Sequence, residues 1–197
     1  MSDRYCIKDG YTARINNRFF DDTPLKDEWQ KEVYEKAREL ADSFGLNSVL
    51  DIGTGSGFKL LKYFSDKTTL GIDVRRTVLW LKRAYPDRNW TDKQEPQIGF
   101  DLVICADVIE HMSDPDQLLD LIQNCKPRYS VISTPDRAML TRGQDGPPGN
   151  KSHVREWTFG ELAQYIGRRF PISEHYVSNN EQCTQVIVIK HNQAGII

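Results

Sequence analysis

The alternation of strand-like and helix-like segments along 197 residues predicts an α/β fold, a mostly parallel seven-stranded sheet with helices on both faces. One observation is the apolar run at 49–52, which breaks into glycines at 53, 55 and 57 before a helix-like stretch. That pattern is a strand feeding a ligand-binding turn, because glycine reaches positive φ and lets the backbone approach a ligand. A second is the strand-like Thr69-Leu-Gly-Ile-Asp73, which ends in an acid 22 residues after Asp51. A carboxylate there can accept both hydroxyls of an adenosine ribose. A third is the pair of runs at 172–178 and 183–190, too close in sequence for a crossover, so one antiparallel strand closes the sheet.

Each element has its own reason. Thr23-Pro24 offers a helix start, and Trp29, Val33, Ala37, Leu40, Ala41 and Phe44 recur at helical spacing until Gly45 supplies a left-handed stop. After the strand at 48–52, Phe58–Phe64 reads as a helix, 69–73 as a strand, and 75–85 as a helix closed by Pro86. A third strand is short, near 89–91, whereas 101–106 is a full apolar run. Asp114 and Pro115 open a helix to 125, and 129–133 is the fifth strand. Thr158-Phe-Gly-Glu161 is a capping box for a helix to about 169. Between them, 141–152 is too polar and too rich in glycine and proline to pack, and reads as a mobile loop within a 136–157 substrate segment.

The length suits a single domain, 1–197, with residues 1–22 as an N-terminal lid or substrate segment. Twenty-six basic against 28 acidic residues give a net charge of −2, which argues against nucleic acid or an anionic membrane as the main partner. Four scattered cysteines, no secretory leader pattern and no long apolar run predict a cytoplasmic protein that does not enter a membrane.

The turn itself selects the nucleoside. A dinucleotide fingerprint needs a glycine where Phe58 stands, and an acid two residues before the first glycine suits an ammonium near a sulfonium rather than a pyrophosphate. Asp51-x-Gly53-x-Gly55-x-Gly57, Gly71-Ile-Asp73, the strand 100–107 and Val108-Ile-Glu-His111 together resemble the class I S-adenosylmethionine-dependent methyltransferases over roughly residues 25–190. The resemblance implies a Rossmann-like sheet of order 3-2-1-4-5-7-6 and S-adenosyl-L-methionine as cofactor. It further implies that Asp51 with Gly53, Thr54, Gly55 and Gly57 holds the methionine part and Asp73 the ribose. Asp92 would take the adenine amine, and Phe100 or Ala106 and Asp107 would line the pocket wall.

Asp107, Glu110 and His111 are spaced so that one helical turn puts them on one face, and His153 follows the loop. In one reading His111 or His153 is a general base for a substrate hydroxyl, with no metal. In the other, Asp107, Glu110, His111 and His153 hold a divalent cation, a pattern that resembles the small-RNA 3′-terminal 2′-O-methyltransferases. The expected function is O-methylation of a small, sugar-like acceptor. The alternatives are metal-dependent RNA 2′-O-methylation and a non-catalytic S-adenosylmethionine-binding module. Arg14, Arg18, Arg137, Arg142, Lys151 and Arg155 are candidate clamps for an anionic acceptor, and Tyr5, Tyr11, Phe19 and Phe20 for an aromatic lid over the cofactor.

Overall fold

Strand β1, Ser48–Ile52, pairs in parallel with β2, Thr68–Ile72, on one side and with β4, Leu102–Ala106, on the other. The two neighbours start from opposite sides of β1, so a crevice opens at its carboxyl end, where an α/β sheet binds its ligand. The computed structural model describes residues 5–26, 28–95 and 97–192; residues 1–4 of the expected N-terminal segment lie outside them. The two-residue β3, Trp90–Thr91, continues the sheet beyond β2. On the far side β5, Tyr129–Pro135, is parallel to β4, and β7, Thr184–Lys190, runs antiparallel between β5 and β6, Ile172–Asn179. The order is 3-2-1-4-5-7-6.

Both faces of this sheet are dry. Leu50, Val103, Cys105, Ile132 and Ile187 face helices α4, Asp116–Cys125, and α6, Phe159–Gly167, through Leu118, Ile122, Leu162 and Ile166. The alternate residues Val49, Leu102, Ile104, Val131 and Val188 face α1, Lys31–Phe44, α2, Phe58–Phe64, and α3, Arg75–Ala84. Period-two alternation with both sets apolar is what a sheet covered on two sides requires.

Most boundaries follow local chemistry. Gly45 ends α1 at φ 61, and Thr158 with Glu161 forms both bonds of the capping box. The start of α1 does not lie at Thr23-Pro24. Asp21 accepts from both the amide and the hydroxyl of Thr23, a turn-forming contact, and Gln30 at φ 65 breaks the chain immediately before the helix begins at Lys31. Trp29 therefore escapes the buried face and is 51% exposed. The segment after β5 makes specific capping and backbone hydrogen bonds. Asp136 caps a short α5, Arg137–Thr141, and Thr12, Arg14 and Arg18 donate to the carbonyls of Asp145, Val154 and Lys151. No described helix is long and apolar enough to cross a membrane.

Candidate active site

The glycine turn leaves β1 and is fastened to β2. Gly53 and Gly55 hold φ of 74° and 55°, and the Gly55 amide donates to Asp73 Oδ2 at 2.8 Å. The Val74 amide donates to Asp73 Oδ1 at 2.7 Å. Thr77 adds a side-chain hydrogen bond, which leaves part of the carboxylate's accepting capacity unused where Asp73 lines a cavity. Burial raises its pKa above the ordinary carboxylate value despite both amides. Asp51 behaves differently. It is fully enclosed, accepts from Tyr34 Oη and Thr54 Oγ1 at 3.0 and 2.9 Å, and is pushed by burial up to about 6. Tyr34 and Thr54, not Asp51, form the cavity wall.

Two cavities meet above the turn. One, of about 580 Å³, is lined by Ile72, Asp73, Val74, Gln94 and Leu118. The other, of about 590 Å³, is lined by Tyr34, Thr54, Ser56, Lys59 and Ala106 and extends past His153 to Trp29, Leu140 and Gln182. Phe20, Asp22, Gly53, Asp107 and His111 line both. An extended ligand with two chemically different ends fits this shape.

Beyond β4 the chain turns sharply. Asp107 adopts φ 52 and accepts from Ser133 Oγ at 2.7 Å, after which Ile109–His111 makes one 3-10 turn. Glu110 is fully buried; Thr134 donates to its Oε2 at 2.9 Å, while Oε1 has no hydrogen-bond partner. Burial, then the Asp107 charge, push its pKa up to about 8. The His111 and His153 rings meet edge to face at 4.8 Å, with Nε2 atoms 3.9 and 4.0 Å from Glu110 Oε1.

The tautomers follow from the partners. His111 Nδ1 lies 2.9 Å from the Ser152 carbonyl, which can only accept, so Nδ1 carries the proton and Nε2 presents a lone pair. Asn150 Oδ1 accepts from the Ser152 amide at 2.9 Å, which turns its Nδ2 toward His153 Nε2, also at 2.9 Å. His153 Nε2 is therefore an acceptor, and its Nδ1 donates to Glu156 at 2.6 Å. Glu110, His111 and His153 offer ligand atoms within 4.8 Å of one another, a grouping able to hold a metal ion.

Several expected residues fall elsewhere. Asp92 is exposed and lines neither cavity, whereas Gln94, two residues on, does, because β3 is too short to carry its end into the crevice. Gly57 packs against Trp90 and Leu81, so its missing side chain serves the core. Phe100 packs against the core cluster rather than lining a cavity. Tyr5 and Tyr11 lie under Arg155 and Arg137 on another surface, leaving Phe19 and Phe20 at the cavity. Arg14, Arg137 and Arg155 donate to backbone carbonyls, Arg137 to Glu161 as well, so these three cations fasten loops and do not form an anion clamp. The sequence reading missed Asp22, Tyr34 and Asn150. Tyr34 carried a signal, since a tyrosine on a buried helix face needs a partner for its hydroxyl.

A nucleoside-binding crevice at the reversal of strand order, with a glycine turn, an acid-ended second strand and an acid-histidine turn after the fourth, defines a class I S-adenosylmethionine-dependent methyltransferase. A family model described as a methyltransferase domain matches residues 19–176, and the chain belongs to that family. It is an enzyme, and its cofactor is S-adenosyl-L-methionine. A S-adenosylmethionine-dependent methyltransferase from Aquifex aeolicus aligns with a TM-score of 0.63 at 18% identity, covering 87% of this chain and 98% of that one. The methyltransferase domain of bacterial CtHen1-CN gives 0.61 at 22%, covering 84% and 100%. The 1,6-didemethyltoxoflavin-N1-methyltransferase of Burkholderia thailandensis, solved with 1,6-didemethyltoxoflavin and S-adenosylhomocysteine bound, gives 0.60 at 18%, covering 85% and 82%. At such identities the likeness is one of fold. No curated protein matches the chain by sequence.

Proposed function

We propose that this methyltransferase works in the cytoplasm on a hydroxyl oxygen of a small, sugar-like acceptor, with His111 as general base. The observation that carries the reading is the His111 tautomer: the Ser152 carbonyl holds the proton on Nδ1 and leaves Nε2 unprotonated on a residue that lines the cavity. The bound cofactor supplies an electrophilic methyl on a sulfonium. Asp73 takes the ribose hydroxyls, Gly53, Thr54 and Gly55 with Tyr34 surround the methionine end, and Ala106 and Asp107 line the wall. His111 Nε2 would take the hydroxyl proton as the acceptor oxygen accepts the methyl group, the cofactor's sulfur keeping the electron pair of the bond given up. His153, oriented by Glu156 and Asn150, positions the acceptor.

The sugar-like class is supported by the cavity mouth. Gln30, Thr141, Asn150, Glu181 and Gln182 offer hydrogen bonds beside the apolar faces of Trp29 and Leu140, a mixture that suits a polyhydroxylated ring. The N-terminal segment and 136–157 form one hydrogen-bonded cover over a single domain, and with it set specificity. Four free cysteines, three of them buried, suit a reducing compartment.

A second reading rests on Glu110 Oε1, a buried oxygen without a partner that faces two histidine nitrogens. Glu110, His111 and His153 would then hold a divalent cation that acidifies the acceptor hydroxyl, and an RNA 2′-hydroxyl becomes the acceptor to test. It requires His153 Nε2 to release Asn150, and the net charge of −2 gives little phosphate neutralisation. Transfer of labelled methyl from S-adenosylmethionine to sugars, nucleotide-sugars and RNA ends, with and without EDTA, tests both. Labelled methyl ether on a sugar in EDTA is expected. Labelling of RNA alone, abolished by EDTA and restored by Mg²⁺ or Mn²⁺, would overturn the first reading.

A further inference from the structure

The acids that line the crevice outnumber its two cations, Arg18 and Lys59. Asp22, Asp73 and Asp107 all line it, and among the described residues none of them pairs with a lysine or arginine. Asp22 comes from the N-terminal segment, which Asn17 ties to the carbonyls of His111 and Ser152 at 3.1 and 3.0 Å and Arg76 ties through Asp21. Its carboxylate lies so close to the turn that a side chain on Gly55 would strike Oδ2. Charged groups that act on it are Asp73 and Asp21, which repel, and Lys59, which attracts from beyond ion-pair distance. Burial and the Asp73 charge push its pKa up to about 6, because together they outweigh the more distant Lys59. Phe20, two residues earlier, presents a ring at the same place.

We propose that Phe20 and Asp22 form a subsite for the cofactor's sulfonium and through it discriminate S-adenosylmethionine from the demethylated product. The inference rests on the cofactor assignment and on position. The adenosyl end belongs in the cavity of Asp73 and Gln94, the methionyl end in that of Tyr34, Ser56 and Lys59, and the sulfur joins them. Phe20 and Asp22 line both cavities and so stand at that junction. A carboxylate and a ring face both favour a cation. Methyl transfer converts the sulfonium to a neutral thioether, so this attraction is present before the reaction and absent after it, which weakens retention of product.

Calorimetric binding of S-adenosylmethionine and S-adenosylhomocysteine to wild type and to D22N tests the subsite. D22N should raise Kd for S-adenosylmethionine about tenfold while changing that for S-adenosylhomocysteine by less than about threefold. Equal losses for the two ligands would assign Asp22 to shared features such as the amino group, and no loss would remove it from the site; either overturns the proposal. Should D22N fail to fold, D22S and F20L are read the same way. A wild type that binds neither ligand would overturn the cofactor assignment itself, and the subsite with it.

Discussion

The Gly55 amide and Asp73 Oδ2 lie 2.8 Å apart, and this bond locks the turn after β1 to the end of β2. Turn geometry and ribose acid are thereby one unit, with the remaining carboxylate lone pairs set at a fixed place in the crevice.

Asp73→Ala should weaken S-adenosylmethionine binding by about 1.5–3 kcal/mol, the value of hydrogen bonds to a charged group. Calorimetry reads it directly. Unchanged affinity in a folded variant would exclude Asp73 from ribose recognition.

His111→Ala should lower the rate about 10²–10⁴-fold while cofactor affinity is kept. The deficit should shrink at high pH, where the acceptor hydroxyl ionises without a base. Activity that survives EDTA in wild type accompanies this result; loss on chelation and rescue by Mg²⁺ would move His111 to a metal ligand.

Glu110 gives a pH dependence of stability opposite in sign to that of an ion-paired acid. Its folded pKa of about 8 exceeds the ordinary 4.5 of a glutamate, so between these pH values the folded chain holds a proton that the unfolded chain has released. The stabilisation is complete below the lower value and is lost as pH rises through the upper one. Thermal melting from pH 5 to 8.5 should show a decline that Glu110→Gln flattens. Equal slopes in the two proteins would show that Glu110 is ionised in the fold throughout.

Tyr34→Phe should destabilise the protein by about 1–3 kcal/mol in urea unfolding, because it removes one donor from the buried Asp51 carboxylate and leaves Thr54. S-adenosylmethionine affinity should fall with it, since the Asp51 bonds set the Tyr34 and Thr54 walls. A variant as stable as wild type would mean that water replaces the phenol.

Local chemistry made much of the architecture readable. Alternating apolar positions in β1, β4 and β7, the Gly45 stop and the Thr158 capping box each act through neighbours in sequence, and the strand-helix rhythm leaves few ways to stack them. The helix start at Thr23-Pro24 misled because Asp21 and Gln30, at the two ends of that stretch, impose turns that propensity does not reveal.

By itself the sequence determined the seven-stranded sheet, the glycine turn and the acid at the end of β2, since backbone periodicity and glycine conformation are local properties. Which acids see the crevice was decided by the tertiary structure. Asp51, Asp92 and Asp22 look alike as aspartates near apolar runs, yet one is walled off by Tyr34 and Thr54, one is left in solvent by a short β3, and one is carried in by a strap from the chain's start. Solvent exposure and the distance between charges depend on contacts remote in sequence. The same holds for His111 and His153, 42 residues apart, whose proton positions are set by Ser152, Asn150 and Glu156 only after the loop folds over them.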